Sequence, residues 1–275
     1  MIEKCELCGK QVPLVKSHII PKFATNWIKK TSLTGGLRKP LNPNIRYQDS
    51  AKIRLLCSQC EQKFSKWEKG FADNVFYKYW NGGKRLFQYN ESLLLFILSL
   101  SWRCIVRDLK TGFSLEYPQY IPALRESLEN WGQILRVGKI SGCQSIGTHL
   151  ILFADYIIEN CSNTETRKFV ESYLTRSVDS TMIYNDSGFL AAYTVIPGMV
   201  ILSVVRPRQV NGFKTTVIKP QGEINIEKMT KSINIPNYLL EYIIDRAKGV
   251  YWNYLTGLSP KQREQISKRI QRRRS

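Results

Sequence analysis

Cys5-Glu6-Leu7-Cys8-Gly9-Lys10, together with Leu55-Leu56-Cys57-Ser58-Gln59-Cys60 further along, decides the reading of this chain. Two residues between cysteines let both thiolates of a tight knuckle reach one tetrahedral metal, and two such knuckles complete a four-cysteine zinc site. That site is closed, so it holds structure and leaves no coordination position for a substrate. His18, in Val15-Lys16-Ser17-His18-Ile19-Ile20-Pro21, is therefore not needed as a zinc ligand. Disulfides are the other reading of paired cysteines. The odd total of seven, with Cys104, Cys143 and Cys161 lacking paired spacing, fits buried thiols in a reducing cytosol better.

Working outward, the second knuckle runs directly into Glu61-Gln62-Lys63-Phe64-Ser65-Lys66-Trp67-Glu68, a good helix former. The first leads through Gly9 into a strand-like stretch. Knuckle, hairpin, then knuckle plus helix is a treble-clef arrangement. A chain of 275 residues has room for this module and a larger domain. The turn Asn81-Gly82-Gly83-Lys84 divides residues 1–80, the zinc module, from residues 84–275.

The spacing beyond the turn predicts a helix over Glu91–Asp108, buried on most sides, and an amphipathic helix over Ile121–Leu135. Leu150–Phe153, three segments within Thr181–Val205, and Phe213–Ile218 have strand character, with turns short enough for antiparallel pairing. Helical spacing returns from Leu239 to Tyr254, with Gly257 as its stop. Ser259-Pro260-Lys261-Gln262 opens a last helix as a capping box. The expected class is α+β: a small four-cysteine module joined to a larger domain with an antiparallel sheet and C-terminal helices.

The 41 Lys and Arg against 22 Asp and Glu leave a net charge of +19. Such an excess points first to nucleic acid, then to an anionic membrane surface, with a merely basic soluble protein as the plain alternative. The most apolar stretch, Leu93 to Val106, is too short to span a bilayer and contains Arg103. With no apolar signal segment at the start, the expectation is a soluble cytoplasmic protein. Lys22, Lys29, Lys30, Arg38, Lys39, Arg46, Lys52 and Arg54 are candidate phosphate contacts, with Phe23, Trp27 and Tyr47 interleaved for stacking. The last helix ends in Arg272, Arg273 and Arg274, a second candidate phosphate-binding feature or a solvated tail.

The sequence CELCGK, then SHIIPKF, then LLCSQC resembles the zinc-stabilised branch of the HNH, or ββα-metal, endonucleases. The resemblance covers roughly the first 70 residues. It implies that His18 is the general base activating water against a phosphodiester, DNA being the expected substrate, assisted by Mg2+ or Mn2+. It also suggests bacterial defence or mobile-element biology. Three positions depart from the family pattern. Ser17 stands where an aspartate ligand is usual, Glu61 where a histidine ligand is usual, and Lys52 where an asparagine is usual. Glu61 remains an acceptable oxygen ligand, and Asn44 and Asp49 are candidates to complete the site. Two other readings stay open. His18 could be a satisfied partner of a buried carbonyl, and the module could bind nucleic acid, or a protein partner through residues 84–275, without cutting. His149, in front of an apolar strand, reads as structural.

Overall fold

Strands β1 (Ile2–Lys4), β2 (Gln11–His18) and β5 (Lys52–Cys57) form an antiparallel sheet in the order β1-β2-β5. This computed structural model describes residues 2–32, 35–39, 42–112, 116–140, 146–207, 216–232 and 235–274. Gly9 closes the first knuckle at φ 74°, a left-handed conformation that costs glycine nothing, and its N–H donates to the Cys5 carbonyl at 2.9 Å. Between β2 and β5 lie helix α1 (Lys22–Thr31) and a hairpin of β3 (Leu37–Lys39) and β4 (Asn42–Tyr47). Helix α2 (Ser58–Phe71) follows β5 without a gap. This is the succession expected of a treble clef.

The register of β2 against β5 slips by one residue between Val15 and Lys16, leaving Leu55 without a partner in this ladder. The irregularity lets Leu55, Leu56 and Cys57 all be buried, so the knuckle is anchored from below. Helix α2 continues through a wide turn at Ala72–Phe76 into α3 (Tyr77–Gly82), which Gly83 ends at φ 58°. Gly83 thus lies within the turn expected from sequence.

Helix α4 (Glu91–Lys110) is the central element of the rest. Its N-cap Asn90 accepts from the Ser92 N–H, and nearly every residue from Leu93 to Val106 is buried. It packs against α2, α5 (Ile121–Val137) and a four-stranded antiparallel sheet. The sheet consists of β7 (Thr148–Phe153), β8 (Asp179–Tyr184), β9 (Leu190–Ile196) and β10 (Met199–Arg206), in the order β7-β10-β9-β8. Three strands form the expected meander, and β7 joins the far side of β10. Helices α6 (Ala154–Glu159) and α7 (Thr164–Arg176) connect β7 to β8. The short pair β6 (Leu86–Tyr89) and β11 (Gly222–Asn225) and helix α8 (Ile226–Ser232) lead to α9 (Asn237–Gly257) and α10 (Pro260–Arg274).

Alternate residues of β9 and β10 enter two different cores. Ala192, Ile196, Met199 and Ile201 face α4, while Tyr193, Val195, Val200 and Leu202 face α7 and α9. The sheet is covered on both faces, which explains why its strands read as continuous apolar runs. The first core also holds Cys5, Leu7, Leu55 and Phe64 beside Phe96, Trp102 and Ile134. Apolar packing is therefore continuous from the cysteine module into the larger part.

Of the expected strand Phe213–Ile218, residues 213–215 lie outside the described residues. Val217 forms a single bridge to Leu150, and the Ile218 N–H donates to the His149 carbonyl at 2.8 Å. Among the described residues, no helix is long and apolar enough to cross a membrane.

Candidate functional site

The fold brings all four module cysteines together. Cys5 follows β1, Cys8 sits in the knuckle, Cys57 ends β5 and Cys60 lies in the first turn of α2. Their sulfurs lie within 4.8 Å of one another. A tetrahedron with Zn–S bonds of about 2.3 Å has edges of about 3.8 Å. Cys8 Sγ and Cys57 Sγ are 3.8 Å apart, so the donor set fits zinc in chemistry and in size. Burial pushes the Cys5 thiol up, but backbone N–H groups of Cys8, Cys57 and Leu7 outweigh it and bring it down to about 7. Burial, followed by bonding with the Cys57 thiol, pushes Cys60 well up. One depressed thiol among crowded ones is a donor set that a divalent cation would complete by drawing off the remaining protons. All six described cysteines are free, so no disulfide competes for these sulfurs; Cys143 lies outside the described residues.

His18 ends β2, paired in register with Lys52. Its Nε2 lies 2.8 Å from Asp49 Oδ2, and Lys52 Nζ lies 2.7 Å from the same oxygen. The His18 and Asp49 side chains are each 19% exposed, which leaves the pair within reach of a ligand. Ser50 N–H donates to Asp49 Oδ1 at 3.0 Å and holds the carboxylate in place. A carboxylate at Nε2 favours the tautomer protonated there and leaves Nδ1 as the basic lone pair.

Beside this pair, the fully buried Ser17 Oγ donates to Glu61 Oε2 at 2.6 Å. The two positions that the HNH resemblance assigns to metal ligands are therefore adjacent but bonded to each other. Asp49 is likewise taken up by His18 and Lys52. Among the described residues, the four cysteines are the one grouping of His, Cys, Asp and Glu close enough to hold an ion.

The structure divides the two residues expected to complete the site. Asp49 reaches His18 as its hydrogen-bond partner. Asn44 does not: its Nδ2 donates to the Gly257 carbonyl at 2.6 Å and its Oδ1 accepts from the Ser259 N–H at 2.8 Å. Both ends of that amide pin β4 to the junction of α9 and α10. Phe23 and Trp27 are also engaged elsewhere, packing on Phe76, with Phe23 against Phe71 and Trp27 against Trp80. Both are partly buried and pack against the core.

Of the candidate phosphate contacts, Lys22, Lys30, Lys39 and Arg46 are exposed. Lys29 Nζ donates to the Gln48 carbonyl, and Arg38 donates to the Pro43 carbonyl and Gln262. Arg272, Arg273 and Arg274 fall within α10, but their side chains lie outside the described residues. His149 is structural as expected: wholly buried, it bonds Ser203 and the Ile146 carbonyl, and burial lowers its pKa to about 4.

Sequence reasoning missed Arg103. This side chain is fully buried, donates from Nη1 to the His18 carbonyl at 2.6 Å, and pairs through Nη2 with Glu68. The available signal was a lone cation inside the apolar stretch Leu93 to Val106.

Burial works against the Asp49 charge, but hydrogen bonds from Lys52 and His18 outweigh it and hold the carboxyl at about 2, against 3.8 for a free side chain. A depressed folded-state pKa contributes stability above the unfolded value and loses it as pH falls through the folded one. The gap in urea midpoint between the protein and Asp49→Asn should be constant above pH 5 and shrink as pH falls from about 4 towards 2. A gap independent of pH would mean that Asp49 is not so paired.

No protein-family model, curated protein or solved structure matches this chain.

Proposed function

We propose that residues 1–80 bind the phosphodiester backbone of nucleic acid, DNA being the expected substrate, and cleave it with His18 as general base, on a framework held by zinc at Cys5, Cys8, Cys57 and Cys60. The observation that supports this most is the half-open His18–Asp49–Lys52 cluster on a module whose zinc site needs no histidine. Water attacking phosphorus would lose its proton to His18 Nδ1 as the bond from phosphorus to the leaving sugar oxygen breaks, that oxygen taking a proton from solvent. Asp49 stabilises the imidazolium so formed. Lys52 supplies a positive charge next to the incoming phosphate, and the net charge of +19 favours a polyanion approaching at all.

A second reading draws on a different observation. The Ser17–Glu61 hydrogen bond engages Glu61 Oε2, an oxygen that a divalent cation would need, which favours a nucleic-acid-binding protein that does not cut. Cleavage of plasmid DNA and of a structureless RNA, each with Mg2+, with Mn2+ and with EDTA, separates the two. His18→Ala should lower the rate by about 10²–10⁴-fold, the range for a general base, while zinc content and binding stay as they were. Equal cleavage by His18→Ala would remove the nuclease assignment from this module. Equal binding with no cleavage by either protein would establish the second reading. A requirement for Mg2+ or Mn2+ would show that Glu61 exchanges its Ser17 bond for the ion, whereas cleavage in EDTA would show that Lys52 suffices.

A further inference from the structure

Away from His18, the β3–β4 hairpin, α7, α9 and α10 surround a cavity of about 430 Å³, within the range of small-molecule sites. Three cations line it, Arg38 and Lys39 from the hairpin and Arg176 from the end of α7; no carboxylate is among the described lining residues. Arg176 Nη1 donates to Thr31 Oγ1 at 2.8 Å and Arg38 Nη1 to the Pro43 carbonyl at 2.6 Å, both neutral acceptors. Asp179, bonded to the hydroxyl of the lining Tyr173, is also bonded to Arg246. Among the described lining residues, the positive charge of the cavity thus has no carboxylate beside it.

Burial, and after it the like charges of Arg46 and Arg269, push the Arg38 guanidinium below its usual value, against an opposing pull from Tyr254. An anion is what such a cluster lacks. The lining is also aromatic: Phe169 and Tyr251 pack with ring centroids 4.6 Å apart, and Tyr47 and Tyr254 line the same cavity. Flat side chains and cations lining one cavity suit a ligand with a planar ring at one end and a phosphate at the other.

We propose that this cavity binds a nucleotide, with its phosphate held by Arg38, Lys39 and Arg176 and its base against Tyr251 and Phe169. Binding itself does not depend on the nuclease reading. One consequence does: β4 ends at Tyr47, two residues before Asp49, so an occupant bears on the segment that carries the partner of His18.

Isothermal titration of the full chain with AMP, ADP, ATP, GMP, adenosine and inorganic phosphate tests the site. Nucleotides should bind at micromolar concentrations, and adenosine or phosphate alone at least tenfold more weakly. Lys39→Gln, at an exposed residue whose loss leaves the fold intact, should weaken nucleotide binding at least tenfold, and Tyr251→Ala should do the same. No heat with any nucleotide at millimolar concentration, or equal affinity in both variants, would overturn the proposal. So would phosphate binding as tightly as AMP, which would mark an anion site that ignores the base. Displacement of a bound nucleotide by an oligonucleotide lacking a terminal phosphate would likewise overturn it, by assigning the cavity to a strand.

Discussion

Cys57→Ala should cost the protein its metal and most of its cooperative stability. The proposed zinc joins knuckles separated by forty-eight residues and would hold the end of β5 and the first turn of α2 against the first knuckle. Structural zinc contributes on the order of 10–16 kcal/mol in isolated finger peptides. Here the loss should also spread, because Cys57 and Cys60 belong to the same buried cluster as Phe96 and Trp102 of α4. Elemental analysis should give one zinc per chain in the native protein and none in Cys57→Ala. The variant should melt far lower and less sharply, with α4 affected as well as the module. Cys161→Ala, which removes a buried thiol from the other core, should keep its zinc. Zinc at full stoichiometry in Cys57→Ala, or none in the native protein, would end the four-cysteine assignment.

The cysteine cluster was legible because paired thiol spacing encodes a short-range geometry that tertiary context does not alter. Helix α4 and the β8–β9–β10 meander were legible for a related reason: Leu93 to Val106 is too apolar to face water, and Asn185–Gly188 and Pro197–Gly198 punctuate the strands. The attachment of β7 beyond β10 was not, since nothing local says which edge of a doubly covered sheet a strand will take. The site was legible only in part. Motif spacing located His18, Ser17 and Glu61, yet their partners are set by packing. Asp49 reaches His18 across thirty-one residues of chain, while Asn44, five positions earlier, is drawn off to the α9–α10 junction. Amide and carboxylate looked interchangeable in sequence, and the hairpin register separates them.

Arg103→Ala should be the most damaging substitution outside the cysteines. The guanidinium is wholly buried, lies 5.4 Å over the Phe64 ring, and donates to the Ser99 carbonyl, the His18 carbonyl and Glu68. Alanine would leave the Glu68 carboxylate, only 17% exposed, without its counter-charge and the His18 carbonyl without its donor. Breaking a buried pair by removing one partner costs about 3–5 kcal/mol. Lysine should not rescue it, because an ammonium cannot hold three acceptors in the planar arrangement of the guanidinium fork. Replacing both charges, Arg103→Met with Glu68→Leu, should recover much of the loss, since no ion is then left buried alone. Urea unfolding of the single and double variants reads these values directly, with zinc content as the check that the knuckles persist. A cost for Arg103→Ala below about 1 kcal/mol, the scale of an exposed pair, would mean that water reaches Glu68 and that α4 does not hold the end of β2 in place.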